Sequence, residues 1–407
     1  MMYQLRRGSR KTSERWRERD AGRRVTRWLA MPGAIFAGVA ALLIVNSLPA
    51  LVTVIASGLG WDDRALGLLA SADVAGITLG SLAGVPIVRR ARLRTVVIGA
   101  ALALALADVG CASSDAKALI ISFRLAGGLA SGLILAACYA IYSDTHPQRN
   151  YAIFSIGQMA AGFVAVTALP LLTGRYGWRS GFLVFALFSA LAIPLALPLP
   201  ARAFAKEAPT HRASAEGGSQ AAVWLAVAGV IVFVTGEGAV WTFIERMGAA
   251  SGISAHDVNT AVSACTLAGL LGAAVMMFPS DRLGVALPLL ASTLLSTAAV
   301  AAMRSGIPAV YIASLCAFNF AWLAFGTVQF AIIARADSAG TATVAMSAAA
   351  FGGFTIGPYV AGELAVRYGF FAVQCLGLGG ILFALVSLIP LIGRRTTSLQ
   401  PAATRPA

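Results

Sequence analysis

Charge is what this sequence has least of. Asp, Glu, Lys and Arg together make up 12% of its 407 residues, about half of the roughly 25% usual in a soluble chain. That scarcity, beside 58% hydrophobic residues, excludes a water-soluble fold, α/β readings included. Histidine is rarer still. His146, His211 and His256 each lie in a short polar break and never cluster with other metal ligands, so no metal site is expected. The five cysteines, Cys111, Cys138, Cys265, Cys316 and Cys375, stand singly in apolar runs with no CxxC pair, and read as packing residues. An HExxH helix, a Ser/His pair, a phosphate loop and a sizeable soluble segment are also missing. An enzyme would have nothing to work with, and no cofactor is implied.

Acidic residues are outnumbered 17 to 31 by Lys and Arg, a net charge of +14. On a soluble protein such an excess points to nucleic acid, but its placement here does not. Ten of the 31 fall in residues 1–30, and most of the others lie in alternate loops. That is the pattern of orientation signals, with a basic tail facing anionic lipid and cytoplasm. The first apolar run, from Met31 to about Ser57, is too long for a secretory signal and reads as a retained span.

What is present in abundance is apolar sequence in lengths that fit a bilayer, which needs about 20 residues at 1.5 Å rise each. Twelve such runs are predicted, at about 31–58, 65–88, 95–113, 117–142, 150–173, 180–200, 221–246, 257–279, 285–303, 308–334, 341–365 and 369–392. The fold class is therefore all-α membrane protein. The longest internal polar stretch, 201–220, divides the runs six to six. This gives a tail at 1–30, a first six-helix bundle at 31–200, a linker at 201–220, a second bundle at 221–392 and a tail at 393–407. With the N-terminus placed in the cytoplasm, 23 Lys and Arg fall inside and seven outside, with Arg124 alone in a span. Both termini are thus expected to be cytoplasmic, in the inner membrane.

The halves repeat. Arg175-Tyr176-Gly177-Trp178 returns as Arg367-Tyr368-Gly369-Phe370, and Ser71-Ala72 returns as Ser263-Ala264, both with a shift of 192 residues (175 to 367, 71 to 263). A common shift matching the spacing of the bundles indicates a parallel repeat, the arrangement that places a midplane site between two rocking halves.

Several stretches resemble the major facilitator superfamily, in the right order along the whole chain. Gly80-Ser81-Leu82-Ala83, followed by Arg89-Arg90-Ala91-Arg92, is similar to the family's loop signature after span two, with Gly84 where aspartate is usual. The equivalent stretch after span eight keeps the acid, as Asp281-Arg282. The resemblance implies a cytoplasmic latch built from Gly80, Arg89, Arg90, Asp281 and Arg282, with plain positive-inside charge as the alternative for the first loop. Arg124 followed by Gly128 and Gly132 on one helix face resembles the family's arginine-glycine pattern in span four. Gly353, Gly357-Pro358 and Gly362 resemble a motif that the family's antiporters carry in span five, but here they lie in span eleven. A fold of two pseudo-symmetric six-helix halves is implied, with spans one, four, seven and ten around a central cavity.

Polar groups at bilayer depth are costly, so each is a candidate for function. Asn46, Glu237 and Asn319 lie about 14 to 18 Å from the outer face, and Asp73 and Arg124 about 10 to 12 Å deep. Asn46, Arg124, Glu237 and Asn319 fall one on each cavity span of the resembled family. A lone carboxyl in low dielectric is a natural proton carrier, which makes Glu237, between Gly236 and Gly238, the expected coupling acid. Asp73 is the alternative, unless it simply pairs with Arg124. Substrate contacts are expected from Asn46, Arg124, Trp241, Asn319 and Trp322, although aromatics at helical spacing also serve as packing. Asp108, on a peripheral span, reads as structural. Glu245 with Arg246, and Glu363 with Arg367, read as solvated pairs at outer helix ends.

Two functions fit. The first is proton-coupled export of a small apolar or aromatic molecule, because sparse acid and aromatics share the expected cavity. The second is symport of a small organic anion anchored by Arg124. A monomer working with substrate, protons and lipid, without nucleic acid, is expected in either case.

Overall fold

The computed structural model describes residues 30–143, 147–200, 219–275, 286–337 and 341–392. The sequence-predicted tails, nearly all of the 201–220 linker, and Asp281 and Arg282 lie outside them. The described residues form thirteen helices: α1 Ala30–Asn46, α2 Leu48–Leu59, α3 Asp63–Arg90, α4 Leu93–Ala112, α5 Lys117–Tyr142, α6 Pro147–Tyr176, α7 Arg179–Leu195, α8 Gln220–Ala250, α9 Ala255–Val275, α10 Ala286–Ala302, α11 Pro308–Ala336, α12 Thr341–Tyr368 and α13 Phe370–Ile392. This is an all-α membrane protein. Helices are the form in which apolar segments satisfy their own backbone groups in lipid.

The twelve predicted runs coincide with these helices, the first run covering both α1 and α2. Seven helices are long and apolar enough to cross a bilayer alone, and the α1–α2 pair, bent by 53°, makes an eighth. Length and hydropathy by themselves therefore qualify eight of the twelve expected crossings, and α7 and α10 are shorter, at 17 residues each. The bend has a chemical cause. Pro49 stands in the first turn of α2 and has no N–H to offer the carbonyl of Val45 four residues earlier.

Backbone proximity replaces oily side chains where the helices pack most closely. A Cβ added at Gly76 or Gly80 of α3 would lie 2.3 or 2.1 Å from the carbonyl oxygens of Leu125 or Leu129 in α5. One added at Gly128 or Gly132 would lie 2.1 or 2.3 Å from those of Asp73 or Ile77. Only glycine permits this approach. The shift of 192 carries Gly80 onto Gly272, where an added Cβ would meet the Phe320 oxygen of α11 at 2.2 Å, so α9 and α11 repeat the α3–α5 contact. Gly177 and Gly369, the shared glycines of the repeated tetrapeptide, both have positive φ, 81° and 74°. The sequence repeat is thus a repeat of turns as well.

Candidate functional site

A central cavity of about 240 Å³ lies among α1, α6, α8, α9, α11 and α12. Its polar groups are Asn46, Thr266, Asn319 and the indole of Trp241, and its rings are Trp241, Trp322, Phe351 and Phe354. Trp322 stacks on Phe354 with centroids 6.3 Å apart and packs at an angle on Trp241 at 6.1 Å. The Asn319 amide donates to the Cys265 carbonyl at 2.8 Å, which orients it against α9. Asn46, the last residue of α1, donates to the Gln158 carbonyl of α6 at 3.4 Å. The Trp241 indole N–H donates to the Val45 carbonyl at 3.2 Å, the acceptor that Pro49 leaves without its helical donor.

Four of the five expected substrate contacts, Asn46, Trp241, Asn319 and Trp322, therefore line one cavity. Arg124 does not. Its guanidinium donates to Asp73 Oδ1 from Nε at 3.2 Å and Nη2 at 3.0 Å, and to Asp108 from Nη1. It is 1% exposed. The groove of bare backbone beside Arg124, read from sequence as facing a cavity, is filled by α3. Asp108 joins this cluster and keeps Oδ2 without a hydrogen bond.

Glu237 is buried, with Oε2 unpartnered, and among the described residues no cation pairs with it. It is not among the lining residues. One turn below it Phe233 packs on Phe325, centroids 4.7 Å apart, and one turn above it Trp241 packs on Trp322. Glu237 thus lies on the face of α8 that meets α11, one turn from the cavity. Of the expected latch, Gly80 serves the α3–α5 contact, and Arg89 and Arg90 are exposed in the last turn of α3. Thr266, Phe351 and Phe354 were not legible as lining. Thr266 gave a signal, following the repeated Ser263-Ala264, but a phenylalanine in an apolar run gives none.

The helix ends expected from sequence to face outward also pair differently from expectation. Arg246 pairs with Asp63 of α3 rather than Glu245. Glu363 receives Arg64 of α3, Nε at 2.6 Å and Nη2 at 3.0 Å, as well as Arg367 at 3.2 Å. These bridges tie α3 to α8 and α12. With Trp241–Val45 and a Thr167–Ser263 hydroxyl bond of 2.8 Å between α6 and α9, they close the seam between the two bundles at the Asp63 end.

A model of the Major Facilitator Superfamily matches residues 33–234. The gallate transporter of Pseudomonas putida is 26% identical over 168 residues, 38% of this chain and 36% of that protein. The 4-hydroxybenzoate transporter PcaK of Pseudomonas aeruginosa is 27% identical over 150 residues, 35% of this chain and 33% of that protein. Both alignments thus span about a third of the relatives' length. Among solved structures, the nucleoside transporter NupG superposes with a TM-score of 0.71 at 14% identity, covering 90% of this chain and 99% of that one.

Proposed function

From the premise that this chain belongs to the major facilitator superfamily and is a secondary transporter, we propose that it carries a single-ring aromatic acid bearing hydroxyl groups inward, together with a proton. The cavity is the observation that carries this reading. Its 240 Å³ exceeds the roughly 150 Å³ that holds a benzene and falls short of the roughly 300 Å³ where drug-sized sites begin. Ring-lined walls suit a planar substrate, and the asparagines and the Trp241 indole suit its polar substituents. The relatives named for gallate and 4-hydroxybenzoate support the same class.

Among the described residues, none that lines the cavity carries a charge. A carboxylate entering this cavity meets no cation, and burying it bare is costly. Entry with a proton removes that cost, and a proton gradient directed inward then sets the direction. Export in exchange for protons, the other direction, has no such basis in the cavity. Glu237 is the proposed proton carrier, because it is uncompensated and one turn from Trp241, whereas Asp73 is engaged by Arg124. The protein works in this reading as a monomer in the plasma membrane, both termini cytoplasmic, alternating between halves 31–200 and 221–392. Purified protein in liposomes tests it. An inward proton gradient should accumulate labelled 4-hydroxybenzoate, and a gradient that instead expels it would reverse the proposed direction.

A further inference from the structure

A second cavity, about 460 Å³, opens at the Asp63 end among α2, α6, α8 and α9. Its rim residues Ser57, Gly58, Gly174 and Ala249 are exposed. Its interior holds three buried oxygens, Thr53 Oγ1, Glu245 Oε1 and Asn259 Oδ1, none in a hydrogen bond of good geometry, with the Thr53 hydroxyl facing the Glu245 carboxyl. Glu245 is only 6% exposed, and its neighbour Arg246 is turned away onto Asp63. Two of the three oxygens, those of Glu245 and Asn259, can only accept when the carboxylate is ionised, which leaves the Thr53 hydroxyl and the Asn259 amide N–H groups as donors beside them. Val54, Pro170 and Trp178 supply apolar wall, and Arg179 sits over the Trp178 ring at 4.7 Å.

Three helices, α6, α8 and α9, line both chambers. Glu245 is one turn beyond Trp241 on α8, and Asn259 is two turns before Thr266 on α9, so the chambers are stacked about 6 to 11 Å apart. The Trp241–Val45 and Thr167–Ser263 bonds form the layer between them.

We propose that the outer chamber is a staging site that takes the substrate hydroxyl end first, the phenolic O–H donating to Glu245 and its oxygen accepting from the Asn259 amide while the layer beneath is closed. The proposal rests on the aromatic-acid reading above. A para-hydroxyl fits because it lies across the ring from the carboxylate, which then points to the mouth, away from Glu245.

Equilibrium binding to the full chain in nanodiscs, with labelled 4-hydroxybenzoate and labelled benzoate as probes, decides it. Wild type should hold two molecules of 4-hydroxybenzoate per chain and one of benzoate, which has no hydroxyl to donate. Glu245→Gln and Asn259→Ala should each reduce the first number to one. Each should raise the KM for uptake from outside at least fivefold while leaving the maximal rate within twofold, and Asn259→Ala decides the matter if Glu245→Gln fails to fold. One 4-hydroxybenzoate per wild-type chain with both KM values unchanged overturns the staging site and leaves the transport reading intact. Equal occupancy by benzoate overturns hydroxyl recognition. No binding of 4-hydroxybenzoate at all removes the transport reading and the staging site with it.

Discussion

Replacing Trp241 by Phe keeps an aromatic ring against Trp322 and removes one N–H. The Val45 carbonyl then loses its donor across the seam, and Pro49 gives it none within the helix. A buried hydrogen bond is worth about 0.5–1.5 kcal/mol net, and an acceptor left unpaired costs about 1–3 kcal/mol. Trp241 is buried and Val45 half-buried, so about 1–2 kcal/mol against the closed Asp63 end is a fair expectation. At about 1.4 kcal/mol per tenfold, Trp241→Phe should raise the ratio of molecules open at the Asp63 end to molecules closed there roughly 5- to 30-fold. Spin labels on Tyr176 and Ala250, exposed at the ends of α6 and α8, would report the shift as growth of the longer-distance population in pulsed dipolar spectra. Pro49→Ala provides the internal check, because it gives residue 49 an N–H. In that background Trp241→Phe should have little further effect. Populations unchanged by Trp241→Phe, or an equal shift in both backgrounds, would refute the role assigned to this bond.

Glu237→Gln should abolish accumulation driven by a pH gradient while substrate exchange without a gradient persists. Accumulation retained by that variant and lost in Asp73→Asn would move the proton site to α3. Gly128→Ala forces a methyl to within 2.1 Å of the Asp73 carbonyl, and should lower thermal stability by about 1–3 kcal/mol. Gly99→Ala, where an added Cβ meets nothing within 4 Å, serves as its control, and equal melting of the two would contradict the packing. Arg124→Leu leaves Asp73 and Asp108 buried without their cation, at a cost of about 3–5 kcal/mol. Adding Asp73→Asn and Asp108→Asn should recover most of the melting temperature, and a stable Arg124→Leu single variant would count against the cluster.

The cavity wall was legible because a polar residue in an apolar run is costly to bury without a purpose, and Asn46 and Asn319 have no other excuse at that depth. Trp241 and Trp322 were legible by their nearness to such residues, whereas Phe351 and Phe354 look in sequence like any packing ring. Arg124 shows where reading one helix at a time stops. Its glycine face is real, but a bare groove says nothing about what fills it. The answer was written on α3, where Gly76 and Gly80 provide the complementary groove, and the pairing of Asp73 with Arg124 at similar depth was one of the readings the sequence left open. Glu245 was read as solvated because it lies near a helix end, yet α8 runs five residues beyond it and the crossing α2 and α9 enclose it.

The 192-residue shift sets Asp73 and Arg124 of the first half opposite Cys265 and Cys316 of the second. The halves have kept a common shape but not a common stiffness. Parting ions in a low dielectric is expensive even over a fraction of an ångström, whereas thiols slide past their neighbours at little cost. The first bundle is thereby braced at its centre and the second can deform. Under the proposed transport function, alternation should accordingly be lopsided, a rigid block against which a more compliant one flexes, rather than two mirror-image lobes sharing the motion equally.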